Sequence, residues 1–170
     1  MKTIILNGMV VDPANKICSR QNLLMEDGKI AAVFNGGPSA AQLTGAETLD
    51  AAGLVVSPGF VDLHMHEDPY DPAEDRFRLD VFDCMLRMGV TSAVAGNCGE
   101  GPADPAAYLE AADRLGLPVN TALLLPHESL RQGAGVTDKY AHATESQIKM
   151  MEKLAAGWLE AGCCGLSYGI

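Results

Sequence analysis

The sequence predicts an α/β fold, the first half of a (β/α)8 barrel preceded by a small β-layer. Three observations carry this. Strand-like runs start near residues 60, 91, 119 and 163, and a helical stretch precedes each one after the first. Such alternation specifies a parallel sheet with right-handed crossovers. Each step takes about 30 residues, so four steps make half of a barrel that needs roughly 250. Residues 1–56 hold only short strands and turns, too few to bury a core of their own. The fourth strand run has no helix after it, and a sheet-interior strand is a rare place for a domain to stop. The chain is therefore expected to be the N-terminal part of a longer protein.

The elements follow in order. Thr3 to Leu6 and Met9 to Val11 are β-rich runs parted by Asn7-Gly8, a hairpin signal. Asp12-Pro13-Ala14-Asn15 reads as a turn. Asn22 to Met25 and Lys29 to Phe34 flank Glu26-Asp27-Gly28 as a second hairpin. Asn35 to Ser39 breaks the pattern, and Glu47 to Leu49 and Leu54 to Val56 add two short strands. At Pro58 the period changes. Gly59 to His64 is an apolar run, followed by a helix over Phe77 to Met88 with Val81, Met85 and Met88 on one face and Gly89 closing it. Val90 to Ala95 is the second barrel strand. Asp104-Pro105 opens a helix that stops at Gly116, and Pro118 to Leu125 is the third strand. Residues 126–143 read as a long loop. Thr144-Glu145-Ser146-Gln147 is a capping box for a helix ending near Gly162, and Cys163 to Ile170 is the fourth strand.

Composition narrows the function. With 22 acidic and 12 basic residues the formal charge is −10, which disfavours nucleic acid or an anionic membrane as partner. No apolar run approaches the roughly 20 residues that span a bilayer. Five cysteines without framework spacing do not make a disulfide scaffold. A soluble, cytoplasmic protein is expected. Sheet edges left open at the first and fourth strands would suit a homo-oligomer.

Chemistry concentrates at two strand ends. In His64-Met65-His66, residues two apart share a face, so both imidazoles project together and can chelate one ion. Cys98, in Gly96-Asn97-Cys98-Gly99, closes the second strand, and a thiolate is a strong zinc ligand that can bridge two ions. Barrel active sites lie at this end of the strands. Cys84, Cys163 and Cys164 read as buried structural thiols. His127, at the end of the third strand, is a candidate substrate contact. Glu67 and Asp68 are candidates for fixing the histidine tautomers, or else belong to a solvated acidic loop with Asp71, Glu74 and Asp75. Arg131 is either a carboxylate clamp or a solvated loop residue. Trp158 and Tyr168 read as core or packing residues.

Pro58 to His66 resembles the opening barrel strand of the amidohydrolase superfamily. Gly89 to Gly99 resembles the second-strand signature of its N-acyl-D-amino-acid deacylase branch, and Gly162 to Ile170 is similar to that branch's fourth strand. The resemblance implies a metal-dependent TIM-type barrel (57–170 being its first half) and a β-sandwich to which residues 1–56 contribute. It implies one or two zinc ions held by His64, His66 and Cys98, and hydrolysis of the amide bond of a small N-acyl amino acid. It also implies two histidine ligands and an aspartate general base beyond Ile170, so the catalytic base is not expected within this chain. Two other readings stay open. One is a non-catalytic metal-binding half-barrel that self-associates. The other is a dihydropyrimidinase- or dihydroorotase-like cyclic amidase, disfavoured because no carboxylatable lysine lies between Lys29 and Lys139.

Overall fold

The computed structural model describes residues 1–169. The backbone divides into two compact units, Met1–Pro58 and Gly59–Ile170.

In the first unit, β1 (Lys2–Asp12), β2 (Ile17–Glu26) and β3 (Lys29–Phe34) form an antiparallel meander. A short helix, α1 (Ala40–Leu43), leads to β4 (Glu47–Asp50) and β5 (Val55–Val56), which both run parallel to β1. The hairpin expected at Asn7-Gly8 is absent, because β1 continues through it. Asn7 adopts φ 63°, and the β1–β2 register shifts between Ile5 and Gly8, so the signal marks a bulge. Across the sheet, Asn7 N–H donates to Asn22 Oδ1 at 2.8 Å and its side-chain amide to Asp50 Oδ1 at 2.9 Å. These bonds satisfy the left-handed residue inside a strand. Reversal comes later, at residues 13–16.

The second unit begins with β6 (Phe60–Asp62), then a small hairpin of β7 (Tyr70–Asp71) and β8 (Arg76–Phe77), and α2 (Asp80–Arg87). Next come β9 (Val90–Ala95), α3 (Pro105–Leu115), β10 (Asn120–Pro126), α4 (His127–Gly133), α5 (Glu145–Glu160) and β11 (Gly165–Ser167). The sheet order is β11-β10-β9-β6, with every pairing parallel. This is the half-barrel arrangement expected, with β6 and β11 at the edges. Asp104 and Thr144 cap their helices as the sequence indicates, the first through Ala106 and Ala107 N–H and the second in a full capping box. Phe82, Val119, Leu123 and Leu125 are fully buried and centre the core, with Tyr108 and Trp158 beside them.

Several expectations need correction. The inward face of α2 is Phe82 and Met85, whereas Val81 and Met88 are 39% and 64% exposed. The cause lies outside the helix. Its N-cap, Leu79, has no side-chain acceptor to offer, and the Asp68 carboxylate accepts from Val81 and Phe82 N–H at 2.9 Å each. That contact starts the helix three residues late and turns Phe82 inward. Residues 127–133 are α4, not loop, since Glu128, Leu130, Arg131 and Gln132 are good helix formers. Of the three thiols expected to be buried, only Cys163 is, while Cys84 and Cys164 are exposed. Burial pushes the Cys163 thiol up to about 11. Of the two readings of Tyr168 the packing one holds: it is 62% exposed and its ring lies on that of His127. Among the described residues no helix is long and apolar enough to cross a membrane.

Candidate metal centre

The two ligand segments meet because β6 and β9 pair in parallel, so their C-terminal ends emerge side by side. Beyond β6 the chain bends, with Asp62 Oδ1 accepting from His64 N–H at 3.0 Å. The His64 and His66 rings then lie 5.9 Å apart between centroids. Beyond β9, Gly96 and Cys98 both take left-handed conformations, φ 76° and 58°, folding residues 97–99 into a single tight turn. Gly96 has to be glycine: a Cβ there would collide with the carbonyl oxygen of Leu124.

The turn carries Cys98 Sγ to 3.3 Å from His64 Nε2. One donor atom from each of His64, His66 and Cys98 lies within 4.8 Å of the others. A single zinc ion at about 2.0–2.3 Å from each donor needs donor separations of roughly 3.3–3.8 Å, so modest side-chain movement satisfies all three. Two imidazoles and a thiolate are also a donor set that zinc accepts. All three side chains are exposed, which leaves room for further ligands.

Cys98 and His66 each line one of two cavities. One, of about 560 Å³, is lined by Cys98, Glu100, His127, Glu128, Arg131 and Tyr140 among others. The other, of about 660 Å³, is lined by His66, Glu67, Tyr70 and Tyr108, and shares Glu100 and Glu128 with the first. Both volumes fall in the range of about 300–1,000 Å³ typical of small-molecule sites. His127 starts α4, and its ring lies 5.1 Å from that of Tyr168. Arg131 donates to the backbone carbonyls of Asp138 and Ala141, both at 2.8 Å, so it braces the following loop.

Partial burial and the nearby Arg131 cation hold His127 below the ordinary 6.5. Its neutral form is therefore favoured in the fold. It costs stability nothing above pH 6.5 and destabilises progressively as pH falls from there through the folded-state pKa. An NMR titration is expected to place His127 below 6.5, and Arg131→Ala to move it part of the way back. A value at or above 6.5 would contradict the burial.

Neither the Glu67 nor the Asp68 carboxylate hydrogen-bonds a histidine ring. Glu67 Oε2 accepts from Gly96 N–H at 2.8 Å, and Asp68 is the buried cap of α2. Asp75 belongs to no loose acidic loop either. Its bidentate pair with Arg114, at 2.6 and 2.9 Å, holds its carboxyl at about 2. Asn97, which sequence reasoning passed over, is buried and donates through Nδ2 to the carbonyls of Met65 and Val94. A polar residue beside a suspected ligand on a Gly-flanked turn was the only signal.

The profile of the amidohydrolase family matches residues 47–152 of the chain. The chain belongs to this family. Among amidohydrolases, it is 30% identical to D-aminoacylase of Alcaligenes xylosoxydans xylosoxydans over 189 residues, which cover 98% of this chain and 37% of that protein. Its fold matches N-acyl-D-glutamate deacylase of Bordetella bronchiseptica, solved with zinc and a phosphonate mimic of the reaction's tetrahedral intermediate. That match has a TM-score of 0.79 at 29% identity, covering 98% of this chain and 38% of the other. A shorter match, 50% identical over 66 residues, joins 39% of this chain to 14% of the dihydroorotase of Elusimicrobium minutum. The chain thus spans little more than a third of the first two proteins.

Proposed function

We propose that this chain is the part of a zinc-dependent hydrolase that supplies the first metal ligands, and that the whole enzyme cleaves the amide bond of N-acyl-D-amino acids. The observation that carries the reading is the convergence of His64, His66 and Cys98 at neighbouring strand ends. Similarity to D-aminoacylase along almost the entire chain supports the substrate class. A zinc ion bound there would supply Lewis acidity, acidifying a water and polarising the amide carbonyl.

The remaining tasks fall to the chain's own side chains. His64, His66 and Cys98 would hold the ion. His127, which lines the smaller cavity with Cys98, offers a ring nitrogen to a substrate group there. Val136, Thr137, Lys139 and Tyr140 of the α4–α5 connection line that cavity. The proton-transferring aspartate of the family reading is assigned to the remainder of the enzyme. A cytoplasmic setting belongs to the same proposal, since all five cysteines are free thiols and suit a reducing compartment.

The cyclic amidase reading is disfavoured because no carboxylatable lysine lies between Lys29 and Lys139. To test the reading, the zinc-loaded intact protein is offered N-acetyl-D-amino acids, their L-enantiomers and cyclic amides such as dihydroorotate. Release of free amine from the D-compounds alone is expected. Turnover of the cyclic amides without the linear ones would replace the proposal with the cyclic amidase.

A further inference from the structure

The His64–His66 segment and the Cys98 turn are joined by contacts that need no ion. Met65, between the two histidines, donates its N–H to the Val94 carbonyl at 3.2 Å. Asn97 closes the exchange, its Nδ2 donating to the Met65 carbonyl at 3.3 Å and to the Val94 carbonyl at 2.7 Å. One residue past His66, Glu67 reaches across to the Gly96 N–H, the peptide at which the turn begins. On the far side, Gly99 N–H donates to Ser167 Oγ on β11 at 2.9 Å. The turn is therefore pinned at its entry, its middle and its exit. Each pin comes from a residue outside the trio of potential ligands found among the described residues.

We infer that Glu67 and Asn97 are positioning residues, a clasp that sets the distance between the histidine pair and the Cys98 thiolate before any metal arrives. The role needs an acceptor of a given reach at 67 and a double amide donor at 97. Charge at 67 is not required: the amide oxygen of a glutamine accepts the same N–H, while aspartate keeps the charge and falls one methylene short. The inference rests on reading the trio as a metal site.

The test uses the intact protein with cobalt(II) in place of zinc, following the sulfur-to-cobalt charge-transfer absorption during titration. Hydrogen exchange at the Gly96 amide in the metal-free protein is read alongside. Glu67→Ala and Glu67→Asp are expected to weaken cobalt binding by about 10–100-fold, the usual effect of losing an outer-shell partner, and to speed Gly96 exchange. Glu67→Gln is expected to stay within about threefold of the parent, on that same scale, with Gly96 still protected. Asn97→Asp, which cannot donate to two carbonyls, should resemble Glu67→Ala. Equal losses in Glu67→Gln and Glu67→Ala, or parental affinity in Glu67→Ala, would overturn the clasp. If the parent takes up no cobalt, the metal reading fails, and Gly96 exchange still decides whether the clasp exists.

Discussion

Cys98→Ala is expected to bind zinc on the order of 100-fold more weakly than the parent protein. Four-donor zinc sites reach an apparent total of about 12 kcal/mol, so one donor accounts for about 3 kcal/mol. The histidines cannot replace it, because the turn that delivers the sulfur brings no other donor of the trio. A competition titration against a chromophoric chelator measures the change. Cys98→Gly separates two consequences of one residue. It loses the thiolate like alanine, but it also relieves a non-glycine side chain held at φ 58°, a strain of about 1–2 kcal/mol. The glycine variant should therefore resist urea better than the alanine variant while both bind zinc poorly. Unchanged zinc affinity in both would remove Cys98 from the site.

Phe82→Ala is expected to destabilise the second unit by about 3–5 kcal/mol, the usual cost of emptying a buried aromatic site. Phe82 is 0% exposed and lies in one cluster with Val90, Leu123 and Trp158. Its loss opens a void under the sheet that carries both ligand segments. Urea unfolding should show a lower midpoint with the slope unchanged. Asp68→Ala tests why Phe82 points inward: it removes the α2 cap and should produce a smaller loss of the same kind. Near-parental stability in Phe82→Ala would mean that the core is centred elsewhere.

Phe82 also marks where the sequence stopped being legible. The strand–helix order, the Asp104 and Thr144 caps and the extent of Val90 to Ala95 were all readable, because each is written in a few adjacent residues. The inward face of α2 was not. It depends on a carboxylate twelve residues before the helix, and local periodicity favoured Val81 and Met88 instead. Asn7-Gly8 failed for a related reason: the dipeptide specifies a left-handed backbone, and only the sheet decides whether that makes a turn or a bulge. At the site, the convergence of His64, His66 and Cys98 was legible because residue type and strand-end position both point to it. The roles of Glu67, Asn97 and Ser167 were not, since each is defined by a partner on another strand.

The attachment of Arg131 to the carbonyls of Asp138 and Ala141 has one more consequence. The arginine grips the loop by its main chain, which every sequence possesses, and so is indifferent to the side chains the loop displays. Thr137, Lys139 and Tyr140 form part of the cavity wall without being part of what holds the wall up. Selection acting on them could retune what the cavity admits while leaving its frame alone. Frame and lining are thus carried by different atoms, a few residues apart on the same stretch of chain.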